Sequence, residues 1–201
     1  MTAIQSTETD SQYTSARPQR PGETNGVPTQ KMFGAIAKFT DNAELAAFRF
    51  TARNAWVDGT ASTSSIHEWH GIGADQQHVE EFRFTSDHPT LGHGYGPTPQ
   101  EYVLHALASC ITAGVATGAA ARGIALHSVT STVTGEIDVR GVLGVDPDVR
   151  KGFSRIEVDF DVQADASQDQ IDALIASATK YSAVFDMLTG PTQVVVGRSE
   201  A

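Results

Sequence analysis

Residues 102–121 form a long uncharged stretch that does most to limit the folds open to this chain. Most of these positions are Ala, Gly, Ser or Thr, and none carries a formal charge at pH 7. Thr98, Pro99 and Glu101 precede the stretch in the order of a capping box with proline at the first helical position. Arg122 and Gly123 supply a C-terminal stop signal. The sequence therefore predicts one long helix that begins at Pro99 and ends before Gly123.

This stretch is long enough to span a membrane, but its hydrophobic drive is weak and His105 interrupts it. We interpret it as a buried helix of a soluble protein and expect no membrane partner. One stripe of the helix carries small side chains, which allow backbones to approach closely: Cys110, Gly114, Thr117, Gly118 and Ala121. The helix is therefore predicted to lie at the centre of the fold, where a second copy of the chain can supply part of its surroundings.

Charge and cysteine content limit the partners and the compartment. The formal net charge is -10 and the pI is near 5.0, so repulsion from phosphates argues against nucleic acid as a partner. The single cysteine, Cys110, excludes an intramolecular disulfide and fits a reducing compartment. The first 20 residues have no apolar core of a secretory signal. We expect a cytoplasmic protein without a cofactor.

The chain divides into two parts. Residues 1–30 are rich in Ser, Thr, Gln, Pro and Gly and have almost no large apolar side chain. Such a segment buries too little surface to offset the entropy of ordering it, so a disordered tail is predicted over 1–30. Residues 31–201 are predicted to form one domain.

Several segments have the patterns of strands. FRFTARNAWV (48–57) and TASTSSI (60–66) flank Asp58-Gly59, a dipeptide favoured in hairpin turns. Further strands are predicted at HVEEFRFTS, at LHSVTSTVTGEIDVRG, at FSRIEVDFDVQ and at the closing PTQVVVG. A second helix follows Ser167 and Gln170, which repeat the capping-box signature. This order predicts an α+β fold in which two long helices pack against strongly curved antiparallel sheets.

Four segments together resemble the OsmC/Ohr superfamily: GPTPQEYVLHALASC, ARGIALHSVTSTVTGEIDVRG, DPDVRKGFSRIEVDFDVQAD and YSAVFDMLTGP. The resemblance runs from about Phe50 to the C-terminus. It implies an OsmC-like α+β fold built as an intertwined homodimer, with active sites at the subunit interface. It also implies reduction of organic hydroperoxides by a two-cysteine thiol mechanism, with Cys110 at the position of the cysteine that attacks the peroxide.

The chain departs from this family at the other catalytic positions. The resemblance places a resolving cysteine in a Cys-Pro-Val motif, and here that stretch reads Ser182-Ala183-Val184. The family's glutamate directly follows the proline at the helix start, where this chain has Gln100 and then Glu101. The family's arginine follows the first hairpin turn. Arg53 and Arg49 are nearby in this sequence, and neither aligns cleanly.

Each candidate residue has two interpretations. Cys110 reacts with peroxide only as a thiolate, so an arginine from another strand would have to lower its pKa; otherwise it is a small buried hydrophobe. Glu101 either orients that arginine or only caps the helix with Thr98. Gln100 lies about 80° from Cys110 around the helix, so it is better placed than Glu101 to share a pocket with the thiol. Ser182 is predicted to continue the apolar face of the second helix, where it points inward and bonds to backbone or water.

The histidines include the run His67-Glu68-Trp69-His70, but they do not complete a zinc-type set of ligands, so no metal is expected. The favoured function is a one-cysteine thiol peroxidase that an external thiol reduces. The alternative is a catalytically silent dimer of the same fold that binds a small apolar ligand. A third hypothesis is a structural or regulatory dimer without a small-molecule site.

Overall fold

The computed structural model describes residues 20–198. Residues 1–19 of the predicted tail and the last three residues lie outside the described part of the chain. The elements of the N-terminal half are α1 (Thr29–Asp41), a 3-10 turn (Ala43–Ala46), β1 (Arg49–Phe50), β2 (Arg53–Asp58), β3 (Ala61–Gly71) and β4 (Ala74–Ser86). Those of the C-terminal half are α2 (Pro99–Ala121), β5 (Leu126–Glu136), α3 (Val139–Val142), β6 (Arg155–Ala164), α4 (Gln168–Lys180) and α5 (Ala183–Thr189).

The first four strands form an antiparallel sheet around β3. Strands β1 and β2 pair with successive parts of one edge of β3, and β4 pairs with the other edge. The predicted hairpin is present, because β2 and β3 meet across the turn at Gly59, whose φ of +51° suits glycine. We call these four strands the N-terminal sheet.

The second sheet is the antiparallel pair β5–β6, which packs against the helices. The alternation predicted for β6 is confirmed, because Ile156, Val158 and Phe160 face the core while the charged residues between them are exposed. Helix α2 packs against β5, α4 and α5. Gly114 of α2 permits the contact with α4, since a Cβ at this position would lie 2.9 Å from the Cβ of Ala178. The fold is α+β, as predicted.

The long helix predicted after Thr98 is confirmed. Helix α2 spans Pro99–Ala121, and the capping box between Thr98 and Glu101 is formed in both directions. By length and composition this helix could cross a membrane, but a core helix of a soluble protein meets the same criteria. Its Leu107, Ile111 and Val115 side chains are buried in the core with Ala178 and the apolar residues of β5 and β6. This packing is that of a core helix.

Three sequence predictions differ from the structure. The predicted tail boundary at residue 30 falls inside α1, and Asn25 already bonds to the backbone of Ile124 and Leu126 at 2.8 and 3.0 Å. The closing strand predicted at 191–197 is wrong: this segment forms neither helix nor strand, and no strand within residues 20–198 pairs with it. The second long helix ends at Lys180, and α5 follows as a separate helix.

Candidate active site

The Cys110 thiol lies in the middle of α2, opposite the start of α5. Helix α4 ends at Lys180, the chain turns at Tyr181, and Ser182 then caps α5. The Ser182 Oγ accepts a hydrogen bond from the Phe185 amide at 3.1 Å, and Ser182 is only 3% exposed. Because Oγ uses a lone pair in that bond, its own proton remains available to a second acceptor. The Cys110 thiol lies near enough to this hydroxyl for the hydroxyl to lower the pKa of the thiol.

The pKa of Cys110 is set by two opposing influences. Partial burial, the largest single influence, raises it. Hydrogen bonds from the Ser182 hydroxyl and from the backbone amides of Val184 and Ala183 lower it, and together they outweigh burial, so the pKa lies below its usual value. These amides belong to the first turn of α5, where backbone N–H groups have no partner within the helix. The site therefore favours the thiolate by hydrogen bonding.

This arrangement differs from the expectation that a cation must activate the thiol. In the described chain, the groups that lower the Cys110 pKa are one hydroxyl and two backbone amides, and none of them is a charged side chain. Sequence reasoning missed the turn at Tyr181 and treated Ser182 as a continuation of α4. The available signal was Ser182 itself, since serine is among the preferred residues at a helix N-cap. The prediction that Ser182 points inward and bonds to backbone is confirmed.

Glu101 acts in the structure as a capping residue. Its Oε2 accepts from the Thr98 amide at 2.7 Å and from the Thr98 hydroxyl at 2.8 Å, and these bonds lower its pKa. Nine residues separate Glu101 from Cys110, which is about 14 Å along the helix axis. Gln100 is about 15 Å away by the same measure. Within a single chain, neither the Glu101 nor the Gln100 side chain lies close to the thiol.

Arg53 lies in the N-terminal sheet and is already paired there. Its Nη2 is 2.7 Å from Glu68 Oε2, and both side chains are exposed. The structure therefore does not bring the four predicted site residues together in one chain: Cys110 lies beside the start of α5, Gln100 and Glu101 lie at the start of α2, and Arg53 lies in β2.

A second polar centre, which sequence reasoning missed, fixes the loop before α2. Asp87 is 1% exposed, and its carboxylate accepts from the Thr60 hydroxyl at 2.6 Å. It also accepts from three backbone amides, those of His88, His93 and Tyr95, at 2.7, 2.9 and 3.2 Å. The Thr60 bond is the largest influence on the pKa of Asp87, and despite burial the pKa lies far below its usual range. We call this arrangement the Asp87 clamp.

Glycine is required next to the clamp. A Cβ at Gly92 would lie 2.0 Å from Asp87 Oδ1, so a side chain at this position would displace the carboxylate. The sequence signal was an aspartate at the start of a loop rich in Gly and Pro, residues 86–98. The clamp joins the end of the N-terminal sheet to the loop that leads into α2, and so helps to set where the helix begins.

A mostly apolar cleft opens along α2 next to the turn that carries Cys110. Its volume is about 540 Å³, and it lies between β6 and the helices α2, α4 and α5. The residues that line it are Leu107, Ile111, Arg150, Phe153, Ser154, Arg155, Ile156, Val158, Phe160, Ile175, Thr179, Phe185, Leu188 and Thr189. Cys110 is not one of them, although Leu107 and Ile111 flank it on α2. We call this space the β6 cleft.

The described histidines do not form a metal centre. Among residues 20–198, no group of three or more His, Cys, Asp or Glu side chains is placed to hold a metal ion. His70 instead bonds through Nδ1 to Asp75 at 2.7 Å on the exposed face of the N-terminal sheet.

Comparison with known proteins gives one family and a set of similar folds. The family model described as OsmC-like protein matches residues 92–197. An OsmC like protein from Mycoplasma pneumoniae has a TM-score of 0.55 at 19% identity, covering 71% of this chain and 88% of that chain. An osmotic stress induced and detoxification response protein from Psychrobacter arcticus has a TM-score of 0.51 at 14% identity, covering 68% of this chain and 86% of that chain.

The organic hydroperoxide resistance protein OhrB of Bacillus subtilis has a TM-score of 0.43 at 17% identity, covering 70% of this chain and 92% of that chain. No curated protein matches the sequence. At these identities, the likeness to the Mycoplasma and Psychrobacter proteins shows a shared fold.

Proposed function

Because the chain belongs to the OsmC-like protein family, we propose that it reduces organic hydroperoxides with Cys110 as its sole redox thiol. The observation that carries this proposal is that α5 packs against α2 and places the Ser182 hydroxyl and two backbone amides where they lower the pKa of Cys110. A thiol that only fills space needs no such donors. A thiol that must ionise gains from them, because hydrogen bonds to the charged form lower the pKa.

The proposed reaction has two stages. The Cys110 thiolate attacks one oxygen of the hydroperoxide, the O–O bond breaks, and the other oxygen leaves with a proton as an alcohol. Cys110 becomes a sulfenic acid. An external thiol then displaces water to give a mixed disulfide, and a second external thiol releases reduced Cys110 with formation of the external disulfide. Outside thiols are needed because the chain has no second cysteine.

The protein is proposed to act as a homodimer in the cytoplasm. The N-terminal sheet leaves large apolar side chains exposed, among them Phe50, Trp56 and Val57. An exposed apolar surface of this kind is typical of a protein interface. Arg53, Gln100 and Glu101 can join the proposed site only through such a second copy, since each is bonded elsewhere in its own chain or too far along α2.

Peroxide consumption by the purified protein tests the proposal. With cumene hydroperoxide and dithiothreitol we expect turnover that the Cys110→Ser variant loses. The matched control is Ser109→Ala, a change of one oxygen at the neighbouring exposed position of the same helix. Equal rates for the wild type and Cys110→Ser would show that the sulfur does not carry the reaction.

A second candidate function is a catalytically silent dimer that binds a small apolar ligand. The β6 cleft favours it, since a volume of about 540 Å³ with mostly apolar walls suits a small molecule. Peroxide consumption and the ligand-induced change in Tm distinguish the two functions. A silent binder consumes no peroxide, but its Tm rises when an apolar ligand is added.

A further inference from the structure

The β6 cleft has apolar walls on three sides. Ile156, Val158 and Phe160 of β6 form one wall, and residues of α2 and α4 form the second. Phe185 and Leu188 of α5 form the third, and both remain partly exposed in the chain. A surface of this kind gains free energy when an apolar chain replaces the water in it.

The hydroxyl groups in the cleft already have hydrogen-bond acceptors. Ser154 Oγ donates to the Glu136 carbonyl at 3.2 Å, and Thr179 Oγ1 donates to the Ile175 carbonyl at 2.9 Å. Thr189 Oγ1 donates to the Phe185 carbonyl at 2.8 Å. Because each of these hydroxyl protons is bonded to the backbone, a ligand does not need polar groups along its length to satisfy the walls of the cleft.

Two arginines in the cleft lining differ in their bonding. The Arg155 guanidinium is paired with Glu157. Arg150 instead donates from Nε to the Phe153 carbonyl at 2.7 Å, which holds its guanidinium in place. Within residues 20–198, the structure gives its two terminal nitrogens no carboxylate partner. Arg150 therefore presents a positive group, anchored at Nε, to a cleft whose walls are mostly apolar.

We propose that the β6 cleft binds a medium-chain carboxylate amphiphile, with the alkyl chain against β6 and α5 and the carboxylate on Arg150. A guanidinium matches a carboxylate because it can donate two parallel hydrogen bonds. The chain as a whole carries a net charge of -10, so this recognition is local to the cleft. The proposal does not depend on peroxide reduction, because Cys110 does not line the cleft.

Calorimetric titration of the full chain with sodium decanoate tests the site, with decyltrimethylammonium as a probe of equal chain length and opposite charge. Decanoate is expected to bind and the cation to bind at least about tenfold more weakly. Arg150→Gln should raise the decanoate Kd about tenfold or more. Lys151→Gln is the matched control, since it removes a positive charge next to Arg150 from an exposed residue that does not line the cleft, and it should change the Kd less than about twofold.

Two further variants test whether decanoate binds in the cleft and whether its binding is independent of peroxide reduction. Leu188→Trp fills the cleft at a position that tolerates a larger side chain because it is partly exposed, and it should abolish decanoate binding. Cys110→Ser should leave decanoate binding unchanged while it removes peroxide turnover, so failure of the two proposals can be told apart. Equal affinity for the two amphiphiles, or unchanged binding by Leu188→Trp, would overturn the assignment. So would the absence of heat up to about 1 mM decanoate.

Discussion

The N-terminal sheet and the C-terminal half of the chain differ in how they bury apolar surface. Helices α2 and α4 pack with β5 and β6 in two core clusters, one that contains Ile111 and Val115 and another that contains Leu174. The N-terminal sheet contributes one buried hydrophobic residue, Ala61, among the described residues. Aromatic side chains cluster on its surface instead, where Phe48, which directly precedes β1, stacks on Trp69 with 5.8 Å between the ring centroids. Most of the described core therefore belongs to the C-terminal half, whereas the N-terminal sheet leaves large apolar side chains exposed.

The largest expected effect comes from the core of the C-terminal half. Leu174→Ala removes a side chain that is 1% exposed, so it should lower the free energy of unfolding by about 2–5 kcal/mol. Val79→Ala in β4 is the counterpart in the N-terminal sheet, where the side chain is fully exposed, and it should change the free energy by less than about 0.5 kcal/mol. Urea unfolding measures both. Equal losses would show that the two halves are not stabilised differently.

The proposed burial of the N-terminal sheet by a second copy of the chain is tested next. Phe50 is 75% exposed, and Phe50→Lys should weaken a dimer at least about tenfold if a second copy buries this residue. Gln77→Lys adds the same charge at an exposed polar position of β4 and serves as the control. Light scattering after gel filtration gives the mass. A wild-type monomer at micromolar concentration would contradict the assembly.

The Asp87 clamp joins the two halves, so it should couple their stability. In Asp87→Asn an amide nitrogen replaces one carboxylate oxygen and faces backbone N–H donors, so Tm should fall by several degrees. Thr60→Val removes only the hydroxyl bond and should lower Tm less. Thermal unfolding by circular dichroism measures both. An unchanged Tm in Asp87→Asn would mean that the loop does not contribute to stability.

The clamp also predicts a dependence on pH. The pKa of Asp87 is lowered in the folded chain, so its stabilising effect is complete above the unfolded value of 3.8. As pH falls below that value, the unfolded chain takes up the proton first and the effect is lost. The difference in Tm between the wild type and Asp87→Asn should therefore be constant above about pH 5 and shrink below about pH 4. A difference that grows in acid would have the wrong sign.

The smallest expected effect concerns the thiol, since the groups that lower its pKa all belong to the C-terminal half. Ser182→Ala removes one of its donors, so the pKa of Cys110 should rise. The rate of alkylation by iodoacetamide at pH 7 should then fall, by up to about tenfold. Ser109→Ala should leave the rate unchanged. An equal rate in Ser182→Ala would mean that the hydroxyl does not support the thiolate.

Local patterns were enough to predict α2, α4 and most strands, but α1, α3 and α5 were not predicted. The capping boxes at Thr98 and Ser167 act within one turn, and the alternation in β6 reflects which face meets the core. The closing strand at 191–197 was predicted wrongly because a strand forms only where a neighbour offers hydrogen bonds. Its valines have the propensity, but the described chain provides no such neighbour.

For the site, the sequence determined the identity of the thiol, since Cys110 is the only cysteine, and it determined that a helix holds it. It did not determine what surrounds the sulfur. Ser182 is 72 positions further along the chain, and only the packing of α5 against α2 brings its hydroxyl and the following amides to Cys110. Helix caps depend on neighbours in sequence, whereas the ionisation of a thiol depends on every group near it in space.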